Sequence, residues 1–148
     1  MFMWQIKKID ELSSLELYHL LKLRIDTFVV EQTRIYHELD DNDLIAYHLY
    51  YQDKTNSDVL AYARIFEVDD HVTFGRVVIT KKLRGTGMGK QLIERILSLC
   101  QEKWPNKEII IEAQAQVAGF YEKFGFKKSS EPFIFESTPH VEMKYRVN

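Results

Sequence analysis

The chain is short of several things, and each shortage excludes something. Among its 148 residues are one cysteine, three prolines and six glycines. A lone Cys100 has no partner for an internal disulfide, and its place beside Leu97 and Leu99 in an apolar helical pattern reads as a buried thiol. No repeat, low-complexity tract or linker rich in Pro, Gly or Ser divides the sequence, so one domain covering residues 1–148 is expected. No run of about 18 apolar residues is present to span a bilayer. The opening Met-Phe-Met-Trp-Gln-Ile-Lys-Lys lacks the apolar core and small-residue cleavage site of a signal peptide. A cytoplasmic protein with no membrane partner is the expectation. A formal net charge of -2 offers no general attraction to phosphate backbones, which argues against a nucleic-acid partner. The five histidines show no zinc-ligand spacing. Ile45 and Ala46 stand where a calcium loop starting at Asp41 needs an oxygen ligand and a glycine, so no metal is expected.

What is present is a core: 45% of the residues are hydrophobic and 13% aromatic. Residues 3–9 alternate as a short strand. Ser13 and Glu16 form a capping box, which opens a helix running to about Glu31 with Leu15, Tyr18, Leu21, Ile25, Phe28 and Val29 on one face. The segment Gln32 to Asn42 is polar and irregular. Ile45 to Gln52, Val59 to Val68 and Val72 to Thr80 are rich in β-branched and aromatic residues, and the turns between them make an antiparallel meander. Met88, Leu92, Ile93, Ile96, Leu97 and Cys100 recur at helical spacing until Pro105 and Asn106. Ile109, Ile110 and Ile111 read as a strand buried on both faces. A short helix from Ala118 to Phe124 stops at Gly125, and two edge strands around Phe126 and His140 to Arg146 close the chain. The class is α/β (α+β), with helices on both faces of a mixed sheet.

The chemistry concentrates where the strand ending near Thr80 meets the next helix. Arg84-Gly85-Thr86-Gly87-Met88-Gly89-Lys90 puts three glycines within five residues, letting main-chain N–H groups converge at a helix start that favours anions. Such a turn is a phosphate cradle. It is no P-loop, because Arg84 occupies the first glycine position and Gln91 replaces the Ser or Thr after Lys90. Dinucleotide spacing fails as well, at Lys90 in one register and at Leu92 in the other.

Arg84, Gly87 and Gly89 do spell Arg-x-x-Gly-x-Gly after an apolar strand. This resembles the pyrophosphate motif of the GNAT superfamily of N-acetyltransferases. Ala118 to Phe126, with Tyr121 ahead of Gly125-Phe126, is similar to that superfamily's downstream motif. The ElaA-like branch is resembled over nearly the whole chain, through Leu23-Arg24, Phe28 to Gln32, Tyr36 with Asp40 and Asp43, His48, Ala61 to Ile65, Gly75-Arg76-Val77, Ala113 to Ala115 and Pro139-His140.

The resemblance implies a mixed central sheet in which two parallel strands splay apart to admit acetyl-coenzyme A. Val77, Val78 and Ile79 would line the pantetheine arm, and Arg84, Gly85, Thr86, Gly87, Met88, Gly89 and Lys90 would hold the pyrophosphate. Gln114 stands where many relatives have asparagine. The implied activity moves the acetyl group to an amine on a small molecule or peptide, by direct attack in a ternary complex. That reaction needs an oxyanion donor, for which the amide of Val78 or Ile79 is the candidate. It also needs a proton for the departing thiolate, the role implied for Tyr121.

Many relatives carry a glutamate on the strand before the turn, whereas Phe74-Gly75-Arg76-Val77 has no carboxylate. Glu112, His140, Glu38 and Asp40 are therefore the candidate bases. The loop Glu31 to Asp43 is acidic enough to attract a cationic amine, or is simply solvated. His48 and Arg64 are expected to line the acceptor cleft or to face water. Two other functions remain open: binding acyl-coenzyme A without turnover as a sensor or interaction module, and holding another phosphorylated ligand such as a nucleotide. Exposed edge strands are compatible with a homodimer.

Overall fold

A computed structural model of the chain describes residues 1–146, so the last two residues of the expected domain lie outside the described residues. Strand β1 (Phe2–Lys7) leads into helix α1 (Ser14–Ile25), which opens on the expected capping box: Ser13 Oγ accepts from the Glu16 N–H at 3.0 Å, and Glu16 Oε1 accepts from the Ser13 N–H at 2.9 Å. The helix runs on to Glu31, but its final part, Asp26–Glu31, widens into a π-turn. After an irregular loop come α2 (Asn42–Ile45), β2 (Tyr47–Asp53), β3 (Val59–Val68) and β4 (His71–Ile79). Helix α3 (Met88–Lys103), β5 (Ile109–Gln114), α4 (Ala118–Glu122), β6 (Lys127–Lys128), β7 (Phe133–Phe135) and β8 (Thr138–Tyr145) complete the order.

The strands join one mixed sheet in the order β1-β2-β3-β4-β5-β8-β6, with β7 also on β8. Strands β1 to β4 form the expected antiparallel meander. Alternation along the strands splits the core into two layers. On one face α3 and α4 bury Leu49, Ala63, Ile65, Phe74, Ile111 and Met143. On the other, α1 packs Leu20 and Phe28 against Tyr50, Tyr62 and Val78. That second layer ends at β4: no side chain of β5 or β8 belongs to it.

Two expectations are corrected. Leu15, Tyr18 and Ile25 are exposed, and the inward face of α1 instead carries Leu20 and Arg24, followed in the π-turn by Phe28, which is buried as expected. Arg24 has no role in the expected helix face, but four-residue spacing puts it in line with its buried neighbours, where carboxylates neutralise it. Strand β8 is not an edge. It pairs with β5 on one side and with β6 and β7 on the other, because the short β7, unmarked in the sequence, supplies the missing neighbour. Cys100 is buried as expected, and burial pushes its thiol up to about 12.

Candidate active site

Strands β4 and β5 are parallel and share one register pair, Val72 opposite Ile109, backed by the Val72 N–H donating to the Glu108 carbonyl at 3.0 Å. Beyond it the ladder stops, so a gap opens toward the carboxyl ends of both strands, where open α/β sheets bind ligands. The Thr80 N–H still donates to the Leu60 carbonyl on β3 at 2.9 Å. Amides alternate sides along a strand, so Val78, registered with Tyr62, turns its N–H toward β3 and Ile79 turns its own into the gap.

At the mouth of the gap the chain passes through Lys81–Leu83 into α3. Gly87 takes a left-handed conformation, φ 87°, and caps the helix without a side chain. The first intrahelical bond runs from the Gln91 N–H to the Gly87 carbonyl, leaving the amides of Met88, Gly89 and Lys90 directed outward. Gly89 is needed for a different reason: a Cβ there would lie 3.3 Å from both Ile79 Cδ1 and Phe120 Cζ. Thr86 Oγ1 donates to the Leu83 carbonyl within the turn. The Arg84 side chain is exposed and lies along the turn. Its guanidinium forks onto Glu31 at 3.0 and 3.4 Å, and its Nε donates to the Ile79 carbonyl at 3.1 Å. That contact with Arg84 holds the Glu31 carboxyl below the usual carboxylate range. With Lys81, Lys82 and Lys90 nearby in sequence, the turn is locally basic in a chain of slight net negative charge.

Tyr121 stands on α4 among the rings of Phe74, Phe120 and Phe126, at centroid distances of 5.4 to 6.0 Å. Burial alone pushes its hydroxyl up to about 12, so it is protonated at neutral pH. Glu112, Gln114, His140 and Glu142 share the opposite face of the sheet, with Gln114 registered opposite His140 and Glu112 opposite Glu142. Glu112 is exposed, while His140 is buried between the rings of Phe133 and Phe135. His140 Nδ1 lies 2.9 Å from the Thr138 carbonyl, which can only accept. Nδ1 therefore carries a hydrogen, and in the neutral ring Nε2 is the nitrogen left to accept.

The loop after α1 departs from expectation. Three of its carboxylates, Glu38, Asp40 and Asp43, are matched by three arginines, while Asp41 is exposed. Arg24, fully buried, donates to Glu38 Oε2 at 2.8 Å and to Asp43 Oδ1 at 2.8 Å. Arg64 forks onto Asp40 at 2.6 and 2.9 Å and reaches Asp43 at 3.0 Å. Arg76 pairs with Glu38 Oε1 at 2.8 Å. His48, also expected near the cleft, is buried with them: Nε2 lies 2.9 Å from the Asp43 carbonyl and Nδ1 2.6 Å from the Tyr62 hydroxyl. Burial lowers its pKa, and it is neutral. Glu38 and Asp40, as arginine partners, are removed from the candidate bases. Sequence reading gave no role to Arg24 or Arg76; the only signal was an arginine spaced four residues from Leu20 and from Phe28.

A split parallel pair, with a glycine turn after β4 and a buried tyrosine on α4, is the arrangement of an acyltransferase. Residues 18–147 match the family model described as acetyltransferase (GNAT) domain. Protein ElaA of Escherichia coli strain K12 is 38% identical over 150 residues, covering 99% of this chain and 98% of that protein. Its crystal structure superposes with a TM-score of 0.90, covering 97% of this chain and 99% of the other. The crystal structure of an acyl-CoA N-acyltransferase from Pseudomonas aeruginosa is 34% identical, with a TM-score of 0.92 over 99% of this chain and 100% of that one. The chain belongs to the GNAT acetyltransferase family, in its ElaA-like branch. Among the described residues, no helix is long and apolar enough to cross a membrane, and no group of three or more His, Cys, Asp or Glu is placed to hold a metal ion.

Proposed function

We propose that this protein is one catalytic domain that transfers the acetyl group of acetyl-coenzyme A directly to an amine in a ternary complex. The observation that carries this reading is the parting of β4 from β5 after one register pair, with the Gly87 and Gly89 turn at its mouth. The outward amides of Met88, Gly89 and Lys90 suit a diphosphate, because they donate several hydrogen bonds from the positive end of a sixteen-residue helix. Gly85 and Thr86 shape the turn, and Arg84 braces it against Glu31. The pantetheine arm then runs along Val77, Val78 and Ile79 toward Gln114.

At the reacting centre the Ile79 N–H is the donor facing the gap, so it rather than Val78 takes the oxyanion. His140 Nε2 accepts the proton that the amine loses as its nitrogen bonds to the acyl carbon and the C–S bond breaks. Glu112 and Glu142, opposite one another on the uncovered face, draw a cationic acceptor to the site, where its ammonium releases one proton to solvent before the free amine attacks. A groove of about 700 Å³ between Ala115, Val141, Ser130 and Pro132 adjoins this end of β5. Tyr121 donates a hydrogen bond to the departing sulfur. Raised to about 12, it holds its proton more tightly than a thiol of ordinary pKa near 8.5, so it shares the proton as the bond breaks.

The test is a panel of amines incubated with acetyl-coenzyme A, read by free thiol release, together with thermal shifts in coenzyme A, acetyl-coenzyme A and ATP. Thiol release that depends on an amine, and a Tm raised by the coenzymes and not by ATP, is the expected result. Stabilisation by ATP alone overturns the reading. Coenzyme binding without turnover of any amine leaves the sensor function in its place.

A further inference from the structure

The strand that lines the gap is bent by a bulge. Between β3 and β4 the register jumps from Tyr62 opposite Val78 to Arg64 opposite Gly75, so Ala63 alone faces both Arg76 and Val77. The residue that absorbs the bend is Arg76, at φ 52°, a left-handed backbone that side chains other than glycine disfavour. Gly75 is next to it and does not take that conformation. An arginine at a position where glycine would sit without strain implies that its side chain is needed.

That side chain holds the loop. Arg76 Nε lies 2.8 Å from Glu38 Oε1, Nη2 donates to the carbonyls of Glu38 at 2.9 Å and His37 at 3.3 Å, and Nη2 lies 3.5 Å from Asp40 Oδ2. The guanidinium also covers the Tyr36 ring, whose hydroxyl donates to Glu38 Oε1 at 3.0 Å. The other oxygen of Glu38 is taken by Arg24 of α1. One carboxylate thus ties the bulge of β4 to the buried side of α1.

We infer that Arg76 is a positioning residue: its clamp on Glu38 fixes the bulge, and the bulge turns the Ile79 amide into the gap. The inference rests on the acyl-transfer reading above. It does not depend on any contact between Arg76 and the substrates. Two readouts test it, one of them independent of activity. In Arg76→Gly the backbone strain is relieved and the clamp is lost. The Tm is expected to stay within a few degrees, while kcat falls at least tenfold and KM for the acyl donor changes less than threefold. Arg76→Lys, which keeps the charge without the planar fork, should fall between. In the free protein, hydrogen exchange at the Val78 amide should speed up at least tenfold in Arg76→Gly, with Ile93 in α3 unchanged.

Wild-type kcat in both variants overturns the inference, and so does unchanged exchange at Val78. A drop in kcat matched by an equal rise in KM and a large fall in Tm also overturns it, since that is the mark of a merely structural arginine. If the wild-type protein transfers no acyl group, the function above fails and the clamp is judged by hydrogen exchange alone.

Discussion

The Phe120 ring of α4 approaches the first turn of α3 so closely that a Cβ on Gly89 would stand 3.3 Å from it, with Ile79 of β4 equally near on the other side. Three elements meet at a residue that has no side chain. A valine at this position must push Phe120 or Ile79 away and tilt the amides that begin α3. Gly89→Val is expected to weaken coenzyme A binding at least tenfold by calorimetry. Gly89→Ala, needing a shift of only a few tenths of an ångström, should show a smaller loss. Unaltered affinity in both would separate this turn from the donor site.

Tyr121→Phe keeps the ring and its packing against Phe74 and Phe126 while deleting the hydroxyl. Loss of a proton donor of this kind lowers kcat by about 10²–10⁴. Coenzyme A affinity should hold within twofold. His140→Ala should likewise depress kcat with donor binding retained; full turnover in either variant removes that residue from the mechanism.

Arg24→Met tests the buried ion network. Removing one partner from a buried pair typically costs about 3–5 kcal/mol because the remaining charges stay desolvated. For a chain of this length each kcal/mol moves Tm by roughly 2–4 °C, so a fall of about 10 °C is expected in a melting curve. A loss under about 2 °C would mean that Glu38 and Asp43 are compensated by Arg76 and Arg64 alone.

Acid stability follows from two carboxylates. Burial opposes ionisation of Glu16, but the Ser13 N–H, the Tyr50 hydroxyl and Lys7 outweigh it and lower the group from 4.5 to about 2. Burial also opposes ionisation of Asp43, where Arg24, Arg64 and the Asp40 N–H outweigh it and lower the group from 3.8 to about 2. Because the folded values lie below the unfolded ones, their contribution is present above about pH 5 and is lost as pH falls toward 2. Urea midpoints measured from pH 6 to 2 should fall steeply in that window, and Glu16→Gln should flatten the decline. A profile identical to wild type would assign acid sensitivity elsewhere.

Much of the scaffold was legible in the sequence, for local reasons. Ser13 and Glu16 announced the start of α1, β-branched runs marked β2 to β4, and the spacing from Met88 to Cys100 marked α3. The glycine cradle was legible because its geometry depends on backbone freedom, which glycine advertises. Side chains whose meaning is set by distant partners were not legible. Arg24 counts as polar until Glu38 and Asp43 meet it, and the acid of the loop reads as a cation trap until Arg64 and Arg76 arrive from β3 and β4. Strand β7 has three residues and no alternation long enough to register. His140 was named in advance, but its tautomer required the Thr138 carbonyl.

The wedge between β4 and β5 is a sheet edge turned inward. An outer edge offers unpaired amides to any passing strand and so invites aggregation. This one is bounded by its own neighbour, closed at Val72 and Ile109, and roofed where Phe120 touches α3. The main-chain groups left unpaired beyond Val72 and Ile109 therefore face the inside of the fold, where a passing strand has no access to them.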